Sequence, residues 1–436
     1  MKIILATALT AALAAVTLTP TAAATPPLPH LESERTVSAW LPWWNIEAGY
    51  RDALAHADRL HTVSPFWYAT SATTSTTSPS GAVVKGETGA GDRRIIDGLH
   101  AKGLKVVPTV TESLRAPAMA DLMNDPARRT AHVDDLVAVA TGRSYDGLDL
   151  DYEVMTETTD PALRERVRTG YNALTTELCA RLHALAKSCV VTVMPRTQDT
   201  GLAFDHAHLG AVTDRLRIMG YNLHNALEAP GPLSSTAWYE EFLTHATAHV
   251  PRDRLEVALP AYGWDWTVGS AARARHVTSL EAEALRRDVG ADYALDPVSG
   301  TPHFTYTDDE GEEHQVWYQD AKGAARHLAV LARHGVRGVG LWALGFEEPQ
   351  LWAALADRPA SLAPAAPERQ RRRAGAAARV DDHLTGAGLR APDDESAPDA
   401  LAGQRDHGIV ETAGSEAAEG RGEGHAGSGP RGSARS

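Results

Sequence analysis

Between Thr36 and about Arg358, this 436-residue chain alternates short apolar runs with helical stretches. The runs are Val37–Trp43, Thr62–Tyr68, Lys105–Val110, Gly147–Tyr152, Val190–Met194, Leu216–Leu223, Leu255–Ala261 and Val336–Leu344. Most are rich in Val, Leu and Ile and are bounded by Gly, Pro or charged residues, the pattern of parallel strands buried on both faces. Helical stretches lie between them at Ile95–Lys102, Pro117–Ala120, Arg128–Ala140, Ala162–Leu185, Tyr239–Ala246 and Asp320–Arg333. Eight such units over about 320 residues predict an α/β fold, a (β/α)8 TIM barrel. A doubly wound open sheet is the alternative. It is weakened because Trp43-Trp44-Asn45, not a Gly-rich phosphate turn, follows the first run.

One long departure interrupts the rhythm, from Ser270 to Trp317. Phe304–Thr307 and Gln315–Tyr318 flank a polar, Gly-containing turn and read as a β-hairpin. This predicts a small insertion between strands 7 and 8, at the end of the barrel where catalytic loops lie.

The ends differ from the middle. Lys2 followed by apolar Ile3–Leu18 and the small residues Ala22-Ala23-Ala24 reads as a secretory signal peptide over 1–24, cleaved near Ala24. A leader follows over 25–35, then the barrel over 36–360 and an Ala/Gly/Arg/Asp/Glu-rich tail over 361–436. All ten Trp fall between Trp40 and Trp352, and the tail holds no Phe, Trp or Tyr. Such a tail cannot bury enough apolar surface to offset its ordering entropy, so disorder is expected there. The expectation is an extracellular protein with no membrane association once the signal is removed. Export permits a bond between Cys179 and Cys189; two buried thiols are the equal alternative. The net charge of −14 argues against a nucleic-acid partner.

The chemistry concentrates in Asp146-Gly147-Leu148-Asp149-Leu150-Asp151-Tyr152-Glu153. Strand alternation puts Gly147, Asp149, Asp151 and Glu153 on one face and Leu148, Leu150 and Tyr152 on the other. In a barrel the polar face points inward, with Glu153 at the C-terminal mouth. Carboxyls stacked about 7 Å apart in a low dielectric cannot all ionise, so at least one proton is retained near neutral pH. A carboxylic acid protonated near neutral pH suits protonation of a glycosidic oxygen. A Ca²⁺ loop is disfavoured because the intervening residues are large and apolar. No Cys/His set has zinc spacing, so neither metal nor cofactor is expected.

These residues carry a resemblance. Asp146-x-x-Asp149-x-Asp151-x-Glu153 resembles the fourth-strand signature of glycoside hydrolase family 18, the chitinases and endo-β-N-acetylglucosaminidases. Ile218-Met219-Gly220-Tyr221-Asn222 resembles its sixth-strand Met-x-Tyr-Asp, and Trp342 its eighth-strand Trp. Within the family, Ser64–Tyr68, Leu259–Trp266, His314–Tyr318 and Leu341–Trp352 look most like the bacterial spore-cortex and spore-germination hydrolases.

The resemblance implies a retaining glycosidase acting on β-1,4-linked N-acetylglucosamine, in chitin, chito-oligosaccharides or peptidoglycan. In this family the substrate's own acetamido group is the nucleophile. It implies that Glu153 is the acid and then the base, and that Asp151 orients the acetamido group. Asp149 would share a proton with Asp151, and Tyr221 would bind the acetamido oxygen. Trp342 would floor the sugar site, with Asn222, Met219, Phe66 and Tyr262 as further substrate contacts. Asp146 and Gly147 are expected to be structural. Asn222 stands where the family has Asp, which keeps a non-catalytic, lectin-like barrel in view as the alternative. Trp43, Trp44, Trp67, Trp264 and Trp266 also cluster near predicted strand ends, divided between sugar cleft and barrel filler. His224 is either a rim group or an ordinary packed His. The expected partner is an N-acetylglucosamine-containing glycan, with the protein acting as a monomer.

Overall fold

The computed structural model describes residues 35–355. The expected signal peptide, nearly all of the leader, and the tail over 361–436 lie outside the described residues. Among those described, eight parallel strands form a closed barrel. They are Thr36–Pro42, Thr62–Ala72, Lys105–Val106 continued by Thr109–Glu112, Gly147–Asp151, Ser188–Val193, Arg215–Met219, Leu255–Pro260 and Gly338–Trp342. The first strand pairs with both the second and the eighth, so the sheet has no free edge there. That closure excludes the doubly wound alternative.

The six expected helical stretches are present as Arg93–Ala101, Ala116–Asn124, Pro126–Gly142, Pro161–Ala184, Thr236–His249 and Ala321–Arg333. Several begin earlier than their apolar periodicity suggests, because a polar side chain captures the first free N–H groups. Asp125 and Asp160 do so immediately before a Pro at the first helical position. Helices at Ile46–Ala55, His206–Val212, Ser279–Asp288 and Leu351–Leu355 were not foreseen. The third of these carried a legible signal, the capping box Thr278/Glu281.

The insertion is larger than a hairpin. The expected pair, now Pro302–Thr307 and Glu313–Tyr318, is joined in an antiparallel sheet by Tyr262–Thr267, Arg275–Thr278 and Ala294–Leu295. A further antiparallel pairing, with no sequence expectation behind it, joins Thr62–Ala72 to Ala82–Gly86. Cys179 and Cys189 are bonded, with Cα atoms 5.2 Å apart, and tie the end of the Pro161–Ala184 helix to the fifth barrel strand.

Outside the fourth strand, Leu148, Leu150 and Tyr152 are fully buried against the helical layer. The Tyr152 hydroxyl meets Thr70 Oγ1 and His132 Nε2, each at 2.7 Å. The apolar face of the signature thus anchors the strand, leaving its acidic face to the barrel interior.

Candidate active site

Below the mouth, the barrel interior is polar rather than aliphatic. Asp149 is fully buried, and its Oδ2 accepts from Thr109 Oγ1 (2.8 Å), Trp40 Nε1 (3.2 Å) and an Arg217 guanidinium N–H (2.8 Å). Its Oδ1 accepts from Thr192 Oγ1 at 2.8 Å. Arg217, on the sixth strand, also pairs with buried Glu256 on the seventh and lies 4.3 Å over the Trp40 ring. Ser38 donates to the same Glu256 at 2.5 Å. The Arg217 and Arg215 charges hold the Glu256 carboxyl below its ordinary range against the effect of burial.

Both Asp149 oxygens accept from donors other than Asp151, and the Arg217 guanidinium places a buried positive charge beside them.

Asp151, one pleat higher, is also buried, and its Oδ1 has no hydrogen-bond partner. Burial first, then the charges of Glu153 and Asp149, push its carboxyl well up; Arg217 opposes them. Glu153 lies just beyond the strand and is half-buried. Burial first, then Glu112 and Glu157, push it up to about 8. That direction favours the protonated acid near neutral pH. Its chain position is tied by Glu112, from the end of the third strand, whose carboxylate accepts the Glu153 N–H (2.9 Å) and the Met155 N–H (2.6 Å).

Glu153 stands at the junction of two cavities. One, of about 100 Å³, is walled by Asp151, Trp44, Phe66, Tyr262, Trp264 and Trp342, with Arg273 at its edge. The other, of about 270 Å³, is walled by Met194, Ala203, Asn225, Glu228 and Trp238 among others. Glu153, Met219, Tyr221 and Asn222 line both. The structure therefore brings Asp151, Glu153, Tyr221, Met219, Asn222, Phe66, Tyr262 and Trp342 together.

The aromatic residues are now sorted. Trp342 is half-buried, edge-on to Phe66 (5.0 Å) and Trp40 (5.5 Å). Trp67 is fully buried filler. Trp266 donates to the Glu228 carbonyl at 2.8 Å, and Trp43 packs edge-on to Trp44. The Tyr221 and Tyr262 rings meet at 5.9 Å, and burial raises both hydroxyls well above their ordinary range.

Asn222 adopts φ 64°, a left-handed conformation that Asn tolerates better than most residues. Its Oδ1 accepts from the Tyr262 hydroxyl (2.5 Å) and Trp264 Nε1 (3.3 Å). Those donors need only an oxygen, so Asn serves them as Asp would.

Other expected residues lie outside both cavities. Asp146 accepts the Val106 N–H (2.7 Å) and meets His100 Nε2 (2.9 Å), tying strand four to strand three and its helix. A Cβ on Gly147 would lie 2.2 Å from Ser188 Oγ, so the close strand contact needs glycine. His224 packs over Gly231 and faces the Ala229 carbonyl at 3.2 Å. The three missed residues, Glu112, Arg217 and Glu256, share one faint signal. Each is a charge inside or closing an otherwise buried run, which requires a partner.

Among the described residues, Asp308, Glu312 and His314 at the insertion's hairpin turn bring candidate metal-ligand atoms within 4.8 Å of one another. None lines either cavity, and His314 already bonds Asp308 and Asp265.

Residues 99–347 match the family described as glycosyl hydrolases family 18. The cortical fragment-lytic enzyme of Bacillus subtilis is 24% identical over 245 residues, 54% of this chain and 55% of that enzyme. The chain thus spans about half the length of that relative. Human di-N-acetylchitobiase is 22% identical over 272 residues, 56% of this chain and 67% of the relative. A chitinase structure from Chromobacterium violaceum superposes with TM-score 0.64 at 23% identity, covering 74% of this chain and 98% of that one.

Proposed function

This chain belongs to glycosyl hydrolase family 18, and we propose that it cleaves β-1,4-linked N-acetylglucosamine glycans with retention, using the substrate's acetamido group as nucleophile. The observation that carries this reading is the place of Glu153, a protonated acid at the junction of two cavities. A glycosidic bond spanning that junction presents its oxygen to the acid and one sugar to each cavity.

On the Asp151 side, the sugar stacks on Trp342. The unpartnered Asp151 Oδ1 accepts the acetamido N–H and turns the acetamido oxygen toward the anomeric carbon. The Tyr221 hydroxyl donates to that oxygen. As the bond breaks, the leaving oxygen takes the Glu153 proton and the acetamido oxygen bonds to the anomeric carbon, giving a cyclic oxazolinium. The ionised Glu153 then takes a proton from water, which opens the ring with net retention. Asp149, Arg217 and Glu256 hold the floor beneath Asp151.

Chitinase and cortical fragment-lytic relatives together support a glycan of this class, in chitin, chito-oligosaccharides or peptidoglycan. Export as a monomer belongs to the same proposal. The Cys179–Cys189 bond supports the export, because such bonds persist in oxidising compartments.

The test is hydrolysis of chito-oligosaccharides and of peptidoglycan fragments by the purified protein, with Glu153→Gln as control. Wild-type turnover lost in the variant, with inhibition by a thiazoline analogue of the cyclic intermediate, is the expected result. Equal inertness of both proteins while both bind the sugar would make this a lectin.

A further inference from the structure

We propose that Glu112 is a positioning residue for the reaction, fixing the chain that carries Glu153 so that the acid meets the bond to be cleaved. The proposal rests on the reading of Glu153 as the acid.

The fourth strand ends at Asp151, and the backbone at Glu153 has left extended geometry, with φ −116° and ψ −45°. Strand pairing therefore no longer sets its position. What holds it comes from the neighbouring strand. Glu112 is 1% exposed, and each of its oxygens takes one backbone N–H, that of Glu153 on Oε2 and that of Met155 on Oε1. The two contacts bracket the turn like a clamp. A carboxylate buried only to fill space would be costly, since burying a charge is unfavourable unless hydrogen bonds compensate. A two-point hold on the reacting residue's own backbone is what such a group supplies.

Glu112 also faces Glu153 electrostatically. The groups around Glu153 are Glu112 from the third strand, Asp151 from its own strand and Glu157 from its own loop, which Arg115 pairs at 3.0 Å. Tyr221 and Tyr262 face it from beyond the sixth and seventh strands. Glu112 is the largest of the charged influences that keep the Glu153 proton in place. Burial pushes the Glu112 carboxyl itself well above its ordinary range, so its hold on Glu153 is carried by the two backbone contacts rather than by a fixed negative charge.

The experiment compares the full-length wild type with Glu153→Gln, Glu112→Gln and Glu112→Asp. Activity retained in Glu153→Gln would sink the reading of Glu153 itself, whatever the Glu112 variants do. With Glu153→Gln inactive, Glu112→Gln is expected to lower kcat about 10- to 100-fold with KM little changed, through misplacement of the acid. The split between kcat and KM is the readout that a merely structural role would not move. Glu112→Asp keeps the carboxyl but loses the reach to both N–H groups, so its kcat should fall as well. A folded Glu112→Gln with wild-type kcat would overturn the proposal. So would a loss that only follows the fraction folded, or failure of both Glu112 variants to fold, since Glu112 would then be a purely structural group.

Discussion

Arg217 and Asp149 face each other at 2.8 Å in the closed interior of the barrel, the guanidinium 1% exposed and the carboxylate fully buried. They come from strands six and four, 68 positions apart in the chain. With Glu256 as a second carboxylate on the same guanidinium, they form a charged layer directly under Asp151.

Replacing Arg217 with Met would leave Asp149 buried without its cation and Glu256 with Arg215 alone, 3.8 Å away. Breaking a buried pair from one side costs about 3–5 kcal/mol. Urea unfolding of Arg217→Met should show a loss of that order. A change below about 1 kcal/mol would mean that the layer is not holding the barrel.

The pH dependence of kcat/KM should report Glu153 in the free enzyme. Its carboxyl is pushed up to about 8, and the acid form is the active one. Activity should therefore persist through neutrality and fall as pH rises through about 8. An alkaline limb near pH 5, the range of an ordinary carboxyl, would contradict the burial and charge argument.

Trp342→Ala removes the proposed sugar platform. A lost stacking surface worth about 1.4 kcal/mol corresponds to about tenfold weaker binding. The expected outcome is a KM increase of that order on oligosaccharides. Calorimetry of binding to a Glu153→Gln background separates this effect from catalysis.

Stability should also depend on pH. Glu347 is buried, accepts from Trp352 Nε1 at 2.9 Å, and is pushed up to about 9 by burial and then by Asp52. The folded state therefore holds this proton more tightly than the unfolded chain. Its contribution to stability is whole below the ordinary glutamate range and is lost as pH rises through about 9. Thermal melts should show Tm falling over that window, with a shallower fall in Glu347→Gln. An identical slope in the variant would remove Glu347 from the account.

The bond between Cys179 and Cys189 closes a short loop joining a long helix to a barrel strand. Replacing both with Ala should cost about 2–4 kcal/mol. Wild type treated with a reductant should melt with the double variant. No difference between reduced and oxidised protein would show the bond to be dispensable.

Much of the site was legible because it is local. Alternation along 147–153 put Asp149 and Asp151 inward and Leu148, Leu150 and Tyr152 outward, and the buried faces agree. Tyr221, Asn222 and Trp342 followed from short motifs at the ends of their own strands. Arg217 and Glu256 were passed over because a single charge in a run such as Leu216–Met219 or Leu255–Pro260 looks incidental until its partner is known. Glu112 was passed over for the same reason. It closes the third strand and serves a backbone 41 positions later.

The division has a physical basis. Periodicity, caps and motifs depend on neighbours along the chain, so an eightfold strand–helix rhythm, an acidic strand face and an acid at its end are legible without any tertiary contact. Charge balance depends on which strands lie side by side or across the closed barrel. The packed barrel set Arg217 against Asp149 and left Asp151 with an unpartnered oxygen. Only closure of the barrel set Glu153 between two cavities, with Glu112 gripping it from the adjoining strand.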